Sequence, residues 1–474
     1  MTSAGELCFL SATELARRMR TGELSADEVV AAHVDRIAAV NPAVNAIVTI
    51  VADRAVEAAR RADDAFARGG SVGPLHGLPI AHKDLVATAG IRTTSGSPIY
   101  ARTVPDSDDL LVERARAAGA IVVGKTNTPE FGAGSQTFNP VFGSTLNPFD
   151  LAKTCGGSSG GAAVALACGM VPIADGSDLG GSLRNPASFC NVVGFRPSPG
   201  RVPSWPSSNA WQDLSVDGPM GRSVEDAALL LSALAGPDLR VPISLPEPGV
   251  TFAPPLDADL GAPSIAWAPT AGGSMPFDPQ IPRLVDATRA TFEALGCRTE
   301  ASFPDLANAR EVFLTMRAHM FAADLADLLA AHRDEMKATL VWNIEEGLRL
   351  THADIARAER LHTELVSRVA RFFDRFDFLV MPVTQVPPFD IDIEYPTEVD
   401  GVAMRTYLDW MESCWCITVT GSPAISVPCG FTDDGLPVGL QIVGRRGDDL
   451  GVLRLAHAFE RATRIGERRP SLVG

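Results

Sequence analysis

Two serine clusters flanked by glycine lie close together in this chain and place the strongest constraint on its fold. The segment from 153 to 190 reads KTCGGSSGGAAVALACGMVPIADGSDLGGSLRNPASFC, with GGSSGG at 156–161 and GGS at 180–182. Between the clusters, GGAAVALACG (160–169) predicts a helix of small side chains that neighbouring backbone can approach closely. No histidine lies between or beside the clusters, so any chemistry of these serines needs another partner.

Signals for helices and strands alternate along the chain. SATE (Ser11 to Glu14) and SADE (Ser25 to Glu28) are capping boxes that predict two helices near the start. AIVVG at 120–124 predicts a short buried strand, and 422–444 predicts two strands joined by a turn at Asp433-Asp434-Gly435. The alternation predicts an α/β fold.

The middle of the chain predicts a connection followed by helices. Residues 236–262 are rich in Pro, Gly and Asp, which is typical of a long surface connection. SIAWAP then predicts a strand, and 306–376 predicts a long helical stretch. Because strands are predicted at both ends with helices between them, we expect one large α/β domain over 1–474 rather than two independent ones.

Charge and composition exclude several classes of partner. The 474 residues include 41 Lys and Arg against 57 Asp and Glu, a net charge of −16, so we expect neither nucleic acid nor an anionic membrane surface as a partner. No window approaches the roughly 18 apolar residues of a membrane span, and the N-terminus lacks a secretory pattern, which favours a cytoplasmic protein. The eight cysteines are scattered without a CxxC pair, which predicts reduced thiols and neither a metal nor a disulfide.

The segment GGSSGG has three general interpretations, which are a connector, a phosphate-binding loop and a nucleophile elbow. A plain connector stays open, since glycine permits tight turns and serine bonds to backbone. A phosphate-binding loop fails, because GxxxxGK[ST] is absent and AAVALA follows Gly161. Gly156 to Gly160 fit the G-x-S-x-G nucleophile elbow, but NPFDLAKTC before them is polar and contains proline where that motif needs a buried strand.

A serine nucleophile without histidine needs another base, and Lys83 is the candidate. DLGGS places flexible backbone before Ser182, so that successive N–H groups of 179–182 can turn toward one point as an oxyanion hole. Lysine acts as a base only when neutral, a form that burial among apolar groups favours. LPIAHKDLVATAG places Lys83 at the end of a predicted buried strand, the alternative being a surface lysine beside Asp84.

Together these motifs resemble the amidase signature family. The resemblance rests on HKD, GGSSGG and DLGGSLRNPA, on spacings of 75 residues from Lys83 to Ser158 and 24 from Ser158 to Ser182, and on GKTNTPEFG, GPMGRSVEDAALLL and PAISVPCGFTDDGLPVGLQIVG. It implies a single α/β/α domain with a central twisted mixed β-sheet covered by helices on both sides. Residues 263–420 would be a variable, largely helical region that forms the substrate pocket within the same domain.

The resemblance also implies a catalytic triad. Ser182 would be the nucleophile, Ser158 the bridging serine behind a cis peptide bond, and Lys83 the base that receives the proton through Ser158. No metal and no cofactor would be needed.

Further roles follow from the same resemblance. The oxyanion would be held by the N–H groups of Leu179, Gly180, Gly181 and Ser182, and the Gly132 carbonyl would face the serines. Asp178 and Arg184 would brace the loop, with an ordinary structural ion pair as the alternative. Leu179 replaces the small polar residue common at this position, which we expect to change the pocket shape and not the backbone chemistry.

The expected activity is hydrolysis of a carboxylic amide C–N bond through an acyl-enzyme, with ester or carbamate hydrolysis as a side activity. The partner would be a small-molecule amide, and a homodimer is left open. Bulky side chains near the catalytic segments and in the variable region favour an apolar or aryl amide, anilide, hydrazide or carbamate as substrate, although core packing explains each side chain equally. These side chains are Trp205, Trp211, Phe131, Phe138, Phe142, Met316, Met320, Trp410, Met411 and Trp415.

Two other functions stay open. One is the glutaminase-type subunit of a tRNA-dependent amidotransferase, which should hold an arginine for the glutamine α-carboxylate. The sequence of 311–350 shows apolar helices and no arginine in a distinctive context. The other is a catalytically silent binding relative, against which the presence of Lys83, Ser158 and Ser182 argues.

Overall fold

The structure, a computed structural model, describes residues 4–70 and 72–473. Its strands are β1 (Ile47–Ile50), β2 (Pro79–Lys83), β3 (Ile121–Thr126), β4 (Phe138–Asn139), β5 (Gly143–Ser144), β6 (Leu146–Asn147), β7 (Asp150–Thr154), β8 (Ile173–Asp178), β9 (Val193–Arg196), β10 (Val216–Gly221), β11 (Ser264–Trp267), β12 (Arg298–Ala301), β13 (Phe378–Pro382), β14 (Glu398–Val399), β15 (Val402–Ala403), β16 (Ala424–Phe431) and β17 (Pro437–Gly444). Its α-helices are α1 (Ala4–Leu7), α2 (Ala12–Arg20), α3 (Ala26–Val44), α4 (Ala52–Ala67), α5 (Leu110–Ala117), α6 (Gly160–Ala167), α7 (Arg184–Phe189), α8 (Val224–Leu234), α9 (Gln280–Asp286), α10 (Arg289–Ala294), α11 (Ala309–His332), α12 (Ala338–Arg349), α13 (His352–Phe372), α14 (Glu412–Thr418) and α15 (Asp449–Thr463).

Eleven of the strands form one mixed sheet, in the order β1-β3-β2-β8-β10-β9-β16-β17-β13-β11-β12. β2 runs parallel to β3 and β8, and β11 runs parallel to β12 and β13, whereas the other neighbouring pairs are antiparallel. Helices flank the sheet, and one continuous apolar core joins them to it. The predicted α/β fold with a large mixed sheet is confirmed. No helix in the described part of the chain has the length and apolar character needed to cross a membrane.

The local signals at both ends of the chain are largely confirmed. Ser25 Oγ accepts the N–H of Glu28 at 3.0 Å, and the Glu28 carboxylate accepts the N–H of Ser25 at 2.8 Å, which completes the second capping box. Ser11 caps α2 in the same way, but the Glu14 carboxylate pairs with arginines one turn further along, so the first box is only half formed. β16 and β17 form the predicted antiparallel pair.

The helical stretch predicted for 306–376 is present as the three helices α11, α12 and α13. Residues 236–262 contain no helix or strand apart from a 3-10 turn at Gly249–Phe252. Within this segment Val241, Phe252 and Leu256 are buried, which attaches it to the rest of the protein at intervals along its length.

The small-residue helix α6 is buried along its whole length. At Gly161 an added Cβ would lie 2.3 Å from the backbone nitrogen of Asn127 and 2.6 Å from the carbonyl oxygen of Ala46. Both neighbours are backbone atoms, so they have no side-chain freedom with which to retreat. Glycine at this position therefore lets the segment after the first serine cluster approach the chain that follows β3.

We expect Gly161→Ala to lower the free energy of unfolding by about 3 kcal/mol, because overpacking against backbone forces the helix or its neighbour to shift. Gly5→Ala is the matched control, since no atom lies within 4 Å of the added Cβ and the residue is helical, and its effect should stay within about 0.5 kcal/mol. Urea unfolding of both variants measures the difference. Equal stabilities would contradict the close approach at Gly161.

Candidate active site

Lys83 ends β2 with its side chain fully buried. Its amine donates to three hydroxyl groups: Ser158 Oγ at 2.6 Å, Ser159 Oγ at 2.9 Å and Ser177 Oγ at 3.1 Å. Three neutral oxygen atoms thus surround the nitrogen, and none of them supplies the full negative charge that would hold it permanently protonated.

Burial lowers the pKa of the Lys83 amine to about 7, while the nearby carboxylates of Asp217, Asp175 and Asp178 act in the opposite direction. An ordinary lysine is almost entirely protonated at neutral pH. At Lys83 the neutral amine is instead a substantial fraction, which is the form that a general base requires.

Asp175 fixes the position of β2 against β8. Its Oδ1 accepts the backbone N–H of Lys83 at 2.8 Å, and its Oδ2 lies 2.6 Å from Nδ1 of the buried His82. These two bonds hold the Lys83 backbone nitrogen and the side chain of the residue before it, so the Lys83 side chain starts from a fixed point. Sequence reasoning did not single out Asp175, although it stands in the same segment as the serine clusters.

Ser158 is 2% exposed and follows a cis peptide bond from Gly157. The turn before it is held by side-chain hydroxyls, since Ser135 donates to the Gly157 carbonyl at 2.7 Å and Thr137 donates to the Gly156 carbonyl at 2.8 Å. Gly156 has a φ of +72°, which favours glycine. The turn thereby directs the Ser158 hydroxyl at Lys83.

Ser182 is half-buried and lines the same cavity as Ser158 and Ser177. The two serine clusters are joined through backbone, because the N–H of Ser159 donates to the Ser182 carbonyl at 3.2 Å. Lys83 thus contacts Ser158, and Ser158 and Ser182 line one cavity.

Asp178 and Arg184 form a fully buried pair beneath the second serine cluster. The Arg184 guanidinium donates to both carboxylate oxygens of Asp178, at 2.9 and 3.0 Å, and also bonds to α14 and β17. Burial alone would raise the pKa of Asp178, but Arg184 and Arg196 hold it well below its usual range. The charge is thus retained in the core and organises the loop above it.

The four N–H groups predicted to form an oxyanion hole divide into two sets. Leu179, Gly180 and Ser182 line the cavity. The N–H of Gly181 instead donates to Asp178 Oδ1 at 2.9 Å, so it already has an acceptor and is not directed at the cavity in this geometry. The φ of +113° at Gly181 accommodates that turn toward the carboxylate.

The cavity above the serines has a volume of about 130 Å³ and is largely apolar. Gly132 lines it with a φ of +66°, and an added Cβ there would lie 2.9 Å from Leu85 and 3.6 Å from Ser158 Oγ. One face of α11 contributes much of the far wall. The lining side chains from α11 and its surroundings are Phe313, Arg317, Met320, Phe321, Leu408 and Met411.

The bulky residues singled out in the sequence separate into wall and core. Phe131, Met320 and Met411 line the cavity, as an apolar pocket predicts. Trp415 stacks on Phe313 with ring centroids 5.0 Å apart and supports the wall from behind. Trp211 is 73% exposed and lies outside the cavity lining.

Sequence reasoning missed Ser159, Ser177 and Arg317. Ser159 is the second serine of GGSSGG and Ser177 directly precedes DLGGS, and their contact with Lys83 depends on how β8 and α6 pack. In the described part of the chain no three His, Cys, Asp or Glu side chains are grouped so that they could hold a metal ion. The eight cysteines are buried as free thiols.

Comparison with known proteins agrees with this geometry. The family model described as Amidase matches residues 28–453. An acylamidase from Rhodococcus erythropolis is 35% identical, covering 98% of each chain, and a glutamyl-tRNA(Gln) amidotransferase subunit from Symbiobacterium thermophilum is 37% identical, covering 98% of this chain and 99% of its own. The crystal structure of a bacterial aryl acylamidase of the amidase signature family superposes with a TM-score of 0.89 at 30% identity, covering 98% of this chain and 99% of that one.

The α/β fold has a mixed sheet that carries a buried lysine and two serine clusters. Together with these similarities, it places the protein among the hydrolases of amide C–N bonds. The chain belongs to the amidase signature family.

Proposed function

We propose that this protein hydrolyses small carboxylic amides with an apolar or aryl group, using Ser182 as nucleophile, Ser158 as proton bridge and Lys83 as base. The observation that carries the proposal is the 2.6 Å contact between the fully buried Lys83 amine and Ser158 Oγ at the base of a cavity that Ser182 lines. A cytoplasmic site of action and a homodimer stay predictions from the sequence.

The proton path runs from Ser182 through Ser158 to Lys83. When the Lys83 amine is neutral it accepts the Ser158 proton, and Ser158 in turn accepts the proton of Ser182 as its oxygen attacks the amide carbonyl carbon. The bond from Ser182 Oγ to the carbonyl carbon forms while the carbonyl π electrons move onto oxygen. The N–H groups of Leu179, Gly180 and Ser182 are the donors available to that oxyanion.

Collapse of the tetrahedral intermediate breaks the C–N bond. The proton held at Lys83 returns through Ser158 to the leaving nitrogen, which departs as a neutral amine and leaves an acyl ester on Ser182. A water molecule then attacks the ester carbonyl carbon while one of its protons passes through Ser158 to Lys83. The bond from the acyl carbon to Ser182 Oγ breaks, the proton returns through Ser158 to Ser182, and the carboxylic acid leaves. Burial of Lys83 serves both halves of the reaction, because a pKa near neutrality lets the amine accept and return the proton with little cost.

The size and lining of the cavity support a small apolar group at the reacting end of the substrate. A cavity of about 150 Å³ is large enough for one benzene molecule, and the cavity above Ser182 is of similar size at about 130 Å³. Its aromatic and methionine side chains offer apolar contact to an acyl group. Aryl and short acyl amides, including anilides, fit this description.

Arg317 supports a second candidate, the glutaminase-type subunit. It is buried and lines the cavity, where its guanidinium donates to Tyr407 at 2.7 Å and to Asn343, and lies 4.3 Å from the centre of the Phe321 ring. Among the described residues it has no ion pair with a carboxylate. A buried cation at the cavity without a carboxylate partner is suited to a substrate carboxylate, and the sequence of 311–350 alone gave no distinctive context by which to identify it.

A substrate panel separates the two candidates. We expect release of the aromatic amine from acyl 4-nitroanilides, measured by absorbance, and no ammonia from free glutamine. Ammonia from glutamine, with a KM that Arg317→Gln raises roughly 10- to 100-fold through loss of a charged hydrogen bond, would instead establish the second candidate. Arg317→Gln should leave KM for the uncharged anilide within about threefold of the parent.

We expect Ser182→Ala to lower kcat by about 10⁴-fold or more, since removal of the nucleophile leaves only binding and the oxyanion donors. Ser471→Ala, an exposed serine near the end of the chain, is the control and should keep the parent rate. Thermal unfolding of both variants checks that the fold is retained. Activity of Ser182→Ala within tenfold of the parent would remove Ser182 from the nucleophile role.

The rate should depend on pH through Lys83. Because only the neutral amine acts as base, kcat/KM should fall as pH drops below the Lys83 pKa of about 7 and reach a plateau above it. An unburied lysine would place this limb near pH 10. A profile that is flat from pH 5 to 9 would contradict the role of Lys83.

A further inference from the structure

Three carboxylates influence the Lys83 amine, those of Asp217, Asp175 and Asp178, and they differ in their partners. Asp178 is paired with Arg184 and Arg196. Asp175 shares its oxygens between His82 and the backbone N–H of Lys83. The third, Asp217, accepts only from the Ser204 hydroxyl, at 2.5 Å, and forms no ion pair with any of the described residues.

Asp217 lies on the same face of the sheet as the Lys83 amine. β8 and β10 are antiparallel, and Asp217 stands directly opposite Ser177, whose hydroxyl accepts from Lys83 at 3.1 Å. Side chains directly opposite each other in an antiparallel pair project from the same face with Cβ atoms about 5 Å apart. The Asp217 side chain therefore stands beside the serine whose hydroxyl contacts the amine.

We propose that Asp217 is a positioning residue that acts on the reaction through Lys83: its carboxylate, facing Ser177 across the sheet, supplies negative charge that helps to make the amine a strong enough proton acceptor. This inference rests on the proposed function of Lys83 as base. Asp217 touches neither the cavity nor the reacting serines, so it is not itself a catalytic residue.

The charge of Asp217 matters because burial and the nearby carboxylates act on the pKa of Lys83 in opposite directions. Burial disfavours the protonated amine, and a lysine that never accepts a proton cannot draw one from Ser158. Asp217 is the foremost of the acids that favour protonation there. The titratable groups that face Asp217 are Lys83, Asp175 on β8 and Asp109 before α5. Burial raises the pKa of Asp217 above its ordinary value, and the hydrogen bond from Ser204 acts in the opposite direction, in favour of the ionised form.

The test is the pH profile of kcat/KM with an acyl 4-nitroanilide, or with whichever amide of the panel the parent protein hydrolyses. Asp217→Asn removes the charge and keeps the shape, so the midpoint of the acid limb should move to lower pH by about one unit. Asp217→Glu keeps the charge and should keep the parent midpoint. Asp434→Asn, the same charge change at the exposed tip of the β16–β17 hairpin, should also leave the midpoint in place.

Ser204→Ala gives a second, independent variant. Loss of the hydroxyl raises the pKa of Asp217, so less negative charge faces Lys83 and the midpoint should move in the same direction by a smaller amount. A parent profile with an acid limb that neither Asp217→Asn nor Ser204→Ala displaces would overturn the role of Asp217 and leave Lys83 as base. A parent profile without any limb would overturn the role of Lys83 itself.

Discussion

Removal of one lysine amine from water is the constraint around which the catalytic half of this protein is arranged. Lys83 keeps three hydroxyl partners and no directly bonded carboxylate, so its charge is disfavoured without leaving its nitrogen unbonded. β2 pairs in parallel with β3 on one side and β8 on the other. The Lys83 nitrogen at its end is therefore buried, and no solvent competes for its hydrogen bonds. The serine hydroxyls, the glycine-rich turns that position them and the nearby acids are all arranged around this buried amine.

A second buried charge serves a structural purpose. Asp178 and Arg184 satisfy each other in the core, and Arg184 extends the connection to α14 and β17 on the other half of the sheet. Because each oxygen and nitrogen in such a pair must be matched, the pair tolerates only one position of the loop that carries Ser182. The position of Ser182 is thereby linked to residues more than two hundred positions away in the chain.

The parts of this structure that the sequence predicts are those set by local chemistry. The capping bonds at Ser25 and the β16–β17 hairpin depend on residues within a few positions of one another, and the serine clusters carry their glycines beside them. Arg317 and Asp217 were missed because their roles depend on tertiary packing. Arg317 lines the cavity only because α11 packs over it, and Asp217 stands beside the contacts of Lys83 only because β10 pairs with β8 in the register that places it opposite Ser177. The orientation of the Gly181 N–H was missed for a similar reason, since it depends on where the Asp178 carboxylate settles.

The wall formed by α11 has a consequence for substrate specificity. Phe313, Arg317 and Met320 are four and three positions apart, so one stripe of a single helix presents ring, cation and thioether to the same space. None of these three side chains bonds to Lys83, Ser158 or Ser182. Under the proposed function, substitutions along one helical stripe would change which amide is accepted without altering the three residues proposed to break the bond.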